Sequence, residues 1–372
     1  MKKEKGLVIF VIAGRIGTSL TVSKVAPIIR LNRVEKVIIF RREKGPPLEK
    51  TQYVTLPKFI TFLRPYFIYF MFRTFFEIFQ LLIFSIKYQP DVINGIYTSM
   101  PGFYSFLVSN LLGVKNIISI IGWRIELKTY HKSSSIWKRF NIWMYRKSTL
   151  VTTTGSRVTK YLIENKIEKR KITTYPGSID TSIFFDANYT REIDIIFAGR
   201  FSRLKGPDRV LQVIKYLKSE MEMPDIKGCF LGEGDMFNLI QEEVRKNDLE
   251  NNVELMGYVK NTEYYFQRAK LILMPSWSEG LSIAMLEAMA CGCVPIVSDV
   301  GNMTDAARHG WNAIVVNDYL DVKLFAKCAR DLLIKRAKWS FLSNNAKKFS
   351  FDNYSIKAQS KIFENILNAL KL

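Results

Sequence analysis

The stretch MPSWSEGLSIAMLEAMACGC, residues 274–293, holds two carboxylates eight positions apart, Glu279 and Glu287. LILMP before it reads as a strand, WSEG as a loop, and Ser282 to Met289 as a helix with Ser282 at its N-cap and Gly292 at its stop. The first N–H groups of such a helix have no partner inside it and carry the positive end of its dipole, so Gly280, Leu281, Ser282 and Ile283 form a mouth that suits a phosphate. Glu287 stands roughly 7 to 8 Å further along the axis. A nucleoside diphosphate with a group attached matches this spacing, with the phosphate at the mouth, ribose hydroxyls at Glu287 and the attached group at Glu279.

Charge for a diphosphate is available in GRFSRLKG, residues 199–206, which follows the strand DIIFA. A loop reversing between Gly199 and Gly206 brings Arg200 and Lys205 together, where they would stabilise a diphosphate leaving group. Taken alone, the segment also reads as a solvated basic turn. FLGEGDM (230–236) adds a strand, a loop with Gly232 and Gly234, and a helix; a short glycine pair of this kind is weak by itself. GRIGTSL (14–20) is a further glycine turn, incomplete as a dinucleotide fingerprint.

These loops need strands to hold them. LVIFVIAG (7–14), KVIIF (36–40), DVINGI (91–96), NIISII (116–121) and TLVTTT (149–154) read as buried parallel strands with helical patterns between them. DIIFAG (194–199), IKGCFLG (226–232), NVELMG (252–257), LILMP (271–275) and CVPIVS (293–298) repeat the scheme. Two β/α series imply an α/β chain of two doubly wound, Rossmann-like domains, 1–185 and 186–350, joined near YPGSIDTSIFFDANYTRE (175–192). Residues 351–372 read as a terminal amphipathic helix, with Ile356, Ile362, Ile366 and Leu370 near helical spacing, that crosses back to the first domain. Ligands of such folds lie beyond the carboxyl ends of the strands, here facing the cleft between the domains.

Composition agrees with two packed cores: 372 residues, 48% hydrophobic, and no repeat or low-complexity tract. The net charge of +21 is uneven. Residues 1–188 hold 30 Lys and Arg against 11 Asp and Glu, a net +19 that leaves +2 for the remainder. Such a field suits nucleic acid, an anionic membrane surface or an acidic substrate. No nucleic-acid module is visible, and FITFLRPYFIYFMFRTFFEIFQLLIFSIK (59–87) favours the membrane. Its longest uncharged run, Ile78 to Ile86, falls short of the roughly 18 to 20 residues that span a bilayer. Residues 74–87 are assigned to a buried core helix; for 59–73 a core helix and one lying in the membrane interface, with arginines reaching outward, stand level. The basic start MKKEKGLVIFVIAG lacks a convincing cleavage site, so a cytoplasmic protein is expected, and the basic first half with residues 59–87 adds the expectation that it lies peripheral to the inner face of the plasma membrane.

Cysteines 229, 291, 293 and 328 lack the spacing of a zinc site and read as reduced core thiols. His309 reads as structural, and no D-x-D occurs, so no metal or other cofactor is indicated.

GRFSRLKGPDRVL, FLGEGDM, VELMGYV and PSWSEGLSIAMLEAMACGCVPIVSDVGNMTD resemble the donor domain of group 1 glycosyltransferases, the retaining GT-B enzymes that include bacterial polysaccharide and lipopolysaccharide transferases. The resemblance covers nearly the whole second half; the first half is similar more loosely to an acceptor domain and hinge. It implies that Glu279 holds hydroxyls of a donor sugar and Glu287 the ribose, that Arg200 and Lys205 meet the diphosphate, and that backbone from Gly280 through Leu281 to Ser282 cradles sugar and phosphate. Gly199 and Gly232 border the donor, and Tyr258 and Val259 face its base. Gly14 and Gly17 correspond to the loop approaching from the acceptor domain. Many relatives carry His-Gly where this chain has Ile121-Gly122, which leaves Arg124, Glu126 or His131 to supply what that His would. The implied activity is metal-independent, retaining transfer of a hexosyl unit from a nucleotide-diphosphate sugar to a glycolipid or growing polysaccharide of the cell envelope. A nucleotide-sugar epimerase on the same fold, and a silent relative that binds an anionic partner, are the alternatives.

Overall fold

The structure, a computed structural model, describes residues 6–14, 16–56, 67–127 and 135–372. It divides into two compact units, Met1–Ser178 with Ile356–Leu372, and Ile179–Ser355. The first unit ends at Ser178 rather than 185: the Ser178 amide and hydroxyl both donate to the Ser23 carbonyl, 2.8 and 2.9 Å, whereas the Ile179 amide donates to Tyr354.

In the first unit seven parallel strands, β1 (Leu7–Gly14), β2 (Val34–Arg41), β3 (Thr51–Val54), β4 (Val92–Ile96), β5 (Lys115–Ser119), β6 (Leu150–Thr153) and β7 (Ile172–Thr174), run in the order β3-β2-β1-β4-β5-β6-β7. Among the described residues its α-helices are α1 (Thr18–Ile29), α2 (Phe67–Tyr88), α3 (Met100–Leu112), α4 (Ser135–Lys147) and α5 (Ser156–Glu164). The second unit has six parallel strands, β8 (Ile193–Ala198), β9 (Gly228–Leu231), β10 (Val253–Gly257), β11 (Ala269–Met274), β12 (Val294–Ser298) and β13 (Ile314–Val316), in the order β10-β9-β8-β11-β12-β13. Around them lie α6 (Pro207–Glu220), α7 (Phe237–Lys246), α8 (Thr262–Phe266), α9 (Ile283–Ala290), α10 (Met303–Ala306), α11 (Val322–Ile334) and α12 (Arg336–Tyr354). The last helix, α13 (Ile356–Ala369), belongs to the first unit.

Helices on both faces explain why the strands read as continuous apolar runs. In β1, Ile9, Val11 and Ala13 pack with Val25 and Ile28 of α1 and Phe363, Ile366 and Leu367 of α13. Val8, Phe10 and Ile12 point the other way, toward Leu81 of α2 and Tyr104 and Val108 of α3. The terminal element begins at 356 and not 351, because residues 351–354 complete α12 and the extended backbone of Ser355 (φ −59°, ψ 153°) separates the two helices. Three strands went unread in the sequence, β3, β7 and β13, and each is a sheet edge.

Residues 74–87 correct an expectation. They are buried on one face of α2 only: Leu81 is buried and Phe76, Ile78, Leu82 and Phe84 pack against the core, whereas Phe75, Phe79, Ile83 and Ile86 are exposed. The outer face is more apolar than the inner one, which carries Glu77 and Ser85, so hydropathy gives no clue to which side is covered. Residues 59–66 of the same stretch lie outside the described residues.

Strand order reverses between β8 and β11 in the second unit and between β1 and β4 in the first. These are the two points where loops at the carboxyl ends diverge and leave room for a ligand.

Candidate functional site

The loop after β11 is fixed from several sides. Ser282 caps α9, its hydroxyl accepting from the Met285 amide at 3.3 Å, and Leu281 is buried beneath. From behind, the Asn302 amide donates to the Gly280 carbonyl at 2.8 Å, and the Ser298 hydroxyl donates to the Ser276 carbonyl at 2.6 Å. Gly301 has φ +56°, and a Cβ there would overlap the Glu279 carbonyl oxygen. The strand-to-helix turn after β12 is thus a mould for the backbone of Glu279 and Gly280.

The loop after β8 meets it across the switch point. Buried Phe201 stacks edge-on against Phe197 at 5.6 Å and anchors the turn, which closes at Gly206 with φ +74°. The Trp277 amide donates to the Leu204 carbonyl at 2.8 Å, and Arg209 of α6 reaches both loops, donating to the carbonyls of Pro275 (2.8 Å) and Arg203 (2.9 Å). Between the loops, the Lys205 ammonium pairs with the Glu279 carboxylate, which also accepts from the Ser276 hydroxyl at 3.2 Å. Glu279 is buried, while the Lys205 side chain keeps 28% of its exposure, so the pair presents its cationic partner outward.

Beside this pair lies a groove of about 430 Å³. Gly199, Arg200, Gly232, Tyr258, Val259 and Glu287 all line it, together with Glu233, Thr262 and Ala284. Lys205 adjoins it, its Cγ 4.0 Å from where a Cβ on Gly199 would stand. The glycine pair of FLGEGDM has a steric reason: Gly232 (φ +127°) and Gly234 (φ +156°) press against the carbonyls of Gly199 and Phe201, where no side chain fits. Arg200 and Tyr258 are exposed at the rim.

Glu287 projects from α9 into the groove, and burial pushes its carboxyl up to about 8, with the negative charge of Glu263 adding to the effect. Because the folded value exceeds the ordinary carboxyl value of 4.5, the stability linked to this proton is fully present below about 4.5 and is lost as pH rises through about 8. The melting temperature of the ligand-free protein is therefore expected to fall between pH 5 and 9 more steeply in wild type than in Glu287→Gln. Parallel curves would show that Glu287 is not buried in this way.

The residues expected on the acceptor side separate in the first unit. Gly14, with φ +55°, lines a cavity of about 390 Å³ at the switch point, with Arg42, Arg73, Glu77, Tyr97 and Tyr104 among apolar walls. Gly17 is the N-cap of α1 and does not line it. The Glu126 carboxylate is buried and accepts from the Thr98 amide and hydroxyl, both 2.7 Å, and from the amides of Ile121 (3.0 Å) and Gly122. Burial raises its pKa and these bonds oppose the rise. Glu126 therefore holds the Ile121-Gly122 turn in place. Arg124 is half-buried, and His131 lies outside the described residues. His309 receives the Val315 amide at 3.1 Å in a turn.

Reasoning from sequence overlooked Arg209, Ser276, Gly301 and Asn302. The first is written in GRFSRLKGPDRVL and the last two in VGNMTD, but their spacing in sequence gives no hint that they brace the loops around Glu279, Arg209 at the Pro275 and Arg203 carbonyls, Gly301 at the Glu279 carbonyl and Asn302 at the Gly280 carbonyl.

Residues 178–349 match the family described as Glycosyl transferases group 1. The chain is 26% identical over 185 residues to D-inositol 3-phosphate glycosyltransferase of Pseudarthrobacter chlorophenolicus, a match covering 46% of this chain and 44% of that protein. It is 24% identical over 270 residues to an uncharacterized glycosyltransferase of Methanocaldococcus jannaschii, covering 70% of each. The chain thus spans less than half the length of the first relative. Among solved structures, Anabaena HepE in complex with UDP and glucose superposes with a TM-score of 0.76 at 12% identity, over 96% of this chain and 99% of that one.

Proposed function

Residues 178–349 belong to the group 1 glycosyl transferases, on a GT-B fold of two Rossmann-like units, and from that premise we propose that the chain transfers a hexosyl unit from a nucleotide-diphosphate sugar to a glycolipid or growing polysaccharide of the cell envelope. The observation that carries this reading is the convergence of two switch-point loops on the Lys205–Glu279 pair, beside a groove that Glu287 lines. Lys205 and Arg200 face the diphosphate, Glu279 takes hydroxyls of the sugar, and Glu287 takes those of the ribose. Tyr258 and Val259 lie against the base.

The bond from the anomeric carbon to the diphosphate oxygen breaks, and negative charge grows on the leaving nucleoside diphosphate. Lys205 and Arg200 stabilise that charge in place of a metal. An acceptor hydroxyl forms the new bond on the face just vacated, and its proton passes to the departing phosphate oxygen, so configuration is retained and no protein base is needed. The cavity at Gly14 takes the acceptor. An epimerase would change the donor sugar without needing an acceptor.

The test follows radiolabelled sugar from UDP-, GDP- and ADP-linked donors into a membrane-lipid extract. One nucleotide class should label an extractable product, in an amount unchanged by EDTA and with the donor's anomeric configuration. An acceptor-independent change of the donor, or loss of labelling on chelation, would overturn the proposal.

A further inference from the structure

The outer face of α2 carries Phe72, Phe75, Phe79, Ile83 and Ile86, all exposed, Phe75 by 70%. Their spacing of three, four, four and three residues makes one helical stripe, roughly 21 Å long. Scattered apolar residues are ordinary on a protein surface, but an unbroken stripe of this kind needs a cover. The charged residues within it, Arg73 and Glu77, turn away: they pair at 3.4 Å and line the cavity on the inner side of the same helix.

The apolar face continues sideways. Tyr104 and Val108 of α3 share a core with Leu81 of α2, and Leu111 of α3 is exposed. On the far side Phe106 of α3 meets Trp143 of α4 edge-on at 5.3 Å. Trp137 and Trp143 of α4 are themselves exposed, Trp137 by 67%. Basic residues frame these rings. Helix α4 holds Lys138, Arg139, Arg146 and Lys147 with no acid, and Lys87 closes α2 with its ammonium 5.4 Å from the Tyr88 ring.

We propose that this face of α2, α3 and α4 docks on an anionic lipid surface, the rings entering the acyl boundary and the lysines and arginines meeting the head groups. Aromatic and aliphatic side chains backed by cations are the composition of an interfacial helix. Among the described residues no helix is long and apolar enough to cross a membrane, which fits a surface that lies on a bilayer. A second copy is the other occupant to weigh. Pairing two such faces would bring their cations together, within a segment of 188 residues that carries +19, whereas anionic lipid satisfies rings and cations at once. The proposal goes beyond sugar transfer and does not depend on it.

The full chain is sedimented, without donor or acceptor, with vesicles of phosphatidylcholine alone and with about one-third phosphatidylglycerol. Wild type should bind the anionic vesicles, more weakly as salt rises, and the double variant Phe75→Ser/Phe79→Ser should bind them about tenfold or more weakly while melting at the wild-type temperature. A second variant, Lys138→Glu/Arg139→Glu, should lose much of the salt dependence. Wild type that ignores anionic vesicles, or ring variants that bind as wild type does, would overturn the proposal. A dimer in analytical ultracentrifugation that the ring variants return to monomer would assign the face to a second copy and overturn it as well.

Discussion

Lys205→Ala is expected to lower turnover by about 10²- to 10³-fold, the scale on which a single donor to a developing oxyanion acts. It also leaves the buried Glu279 carboxylate facing only the Ser276 hydroxyl, which should destabilise the fold by about 3 kcal/mol, the low end for breaking a buried pair because the Lys205 side chain is partly solvated. Stability loss alone could lower activity, so the informative variant is Lys205→Met/Glu279→Gln. Removing both charges should restore most of the stability, read as the urea midpoint, while turnover stays low. A double variant with wild-type turnover would make the pair a structural tie and nothing more.

Gly301→Ala should be nearly as damaging although residue 301 does not line the groove. Two effects add. At φ +56° an L-residue costs on the order of 1 kcal/mol, and its Cβ would overlap the Glu279 carbonyl oxygen, so the backbone that carries Glu279 and Gly280 has to move. A displacement near 1 Å in a catalytic loop costs about 10²-fold in rate. Gly310→Ala separates the two effects, because Gly310 has φ +73° and no atom within 4 Å of its absent Cβ. It should melt slightly lower and turn over normally. Equal losses in both variants would show that conformational strain, and not the mould behind Glu279, matters.

How far the sequence could be read follows from what each element must bury. Central strands buried on both faces, such as LVIFVIAG and LILMP, announce themselves as apolar runs, and the half-exposed edge strand NVELMG is long enough to be read with them. The edge strands TQYV, ITT and IVV are only three or four residues long, and the first two are mostly half-exposed, so their sequences carry little of that signal. Glu279, Glu287, Arg200 and Lys205 were legible because each sits within a few residues of a strand end or helix start. Their partners were not. Arg209 and Gly301 act through contacts 66 and 22 residues away in sequence, and nothing local marks them. Glu126 looked available for chemistry, yet four hydrogen bonds to its carboxylate could be found only once Thr98 lay beside it. In α2 the apolar pattern marks a helix, but its uncovered face shows only once the neighbouring core is in place.

Calorimetric titration of UDP, GDP, ADP and CMP into wild type and Glu287→Gln would test most directly whether the groove beside Lys205 is a nucleotide site. If Glu287 holds ribose hydroxyls as a carboxylate, its proton must leave on binding, since burial pushes its carboxyl up to about 8. One nucleotide diphosphate should bind wild type at pH 7 with release of up to one proton, seen as a binding heat that changes with the ionisation heat of the buffer, and should bind Glu287→Gln about tenfold or more weakly with no proton released. Binding of equal strength to both proteins, or of none of the nucleotides to wild type, would contradict the assignment.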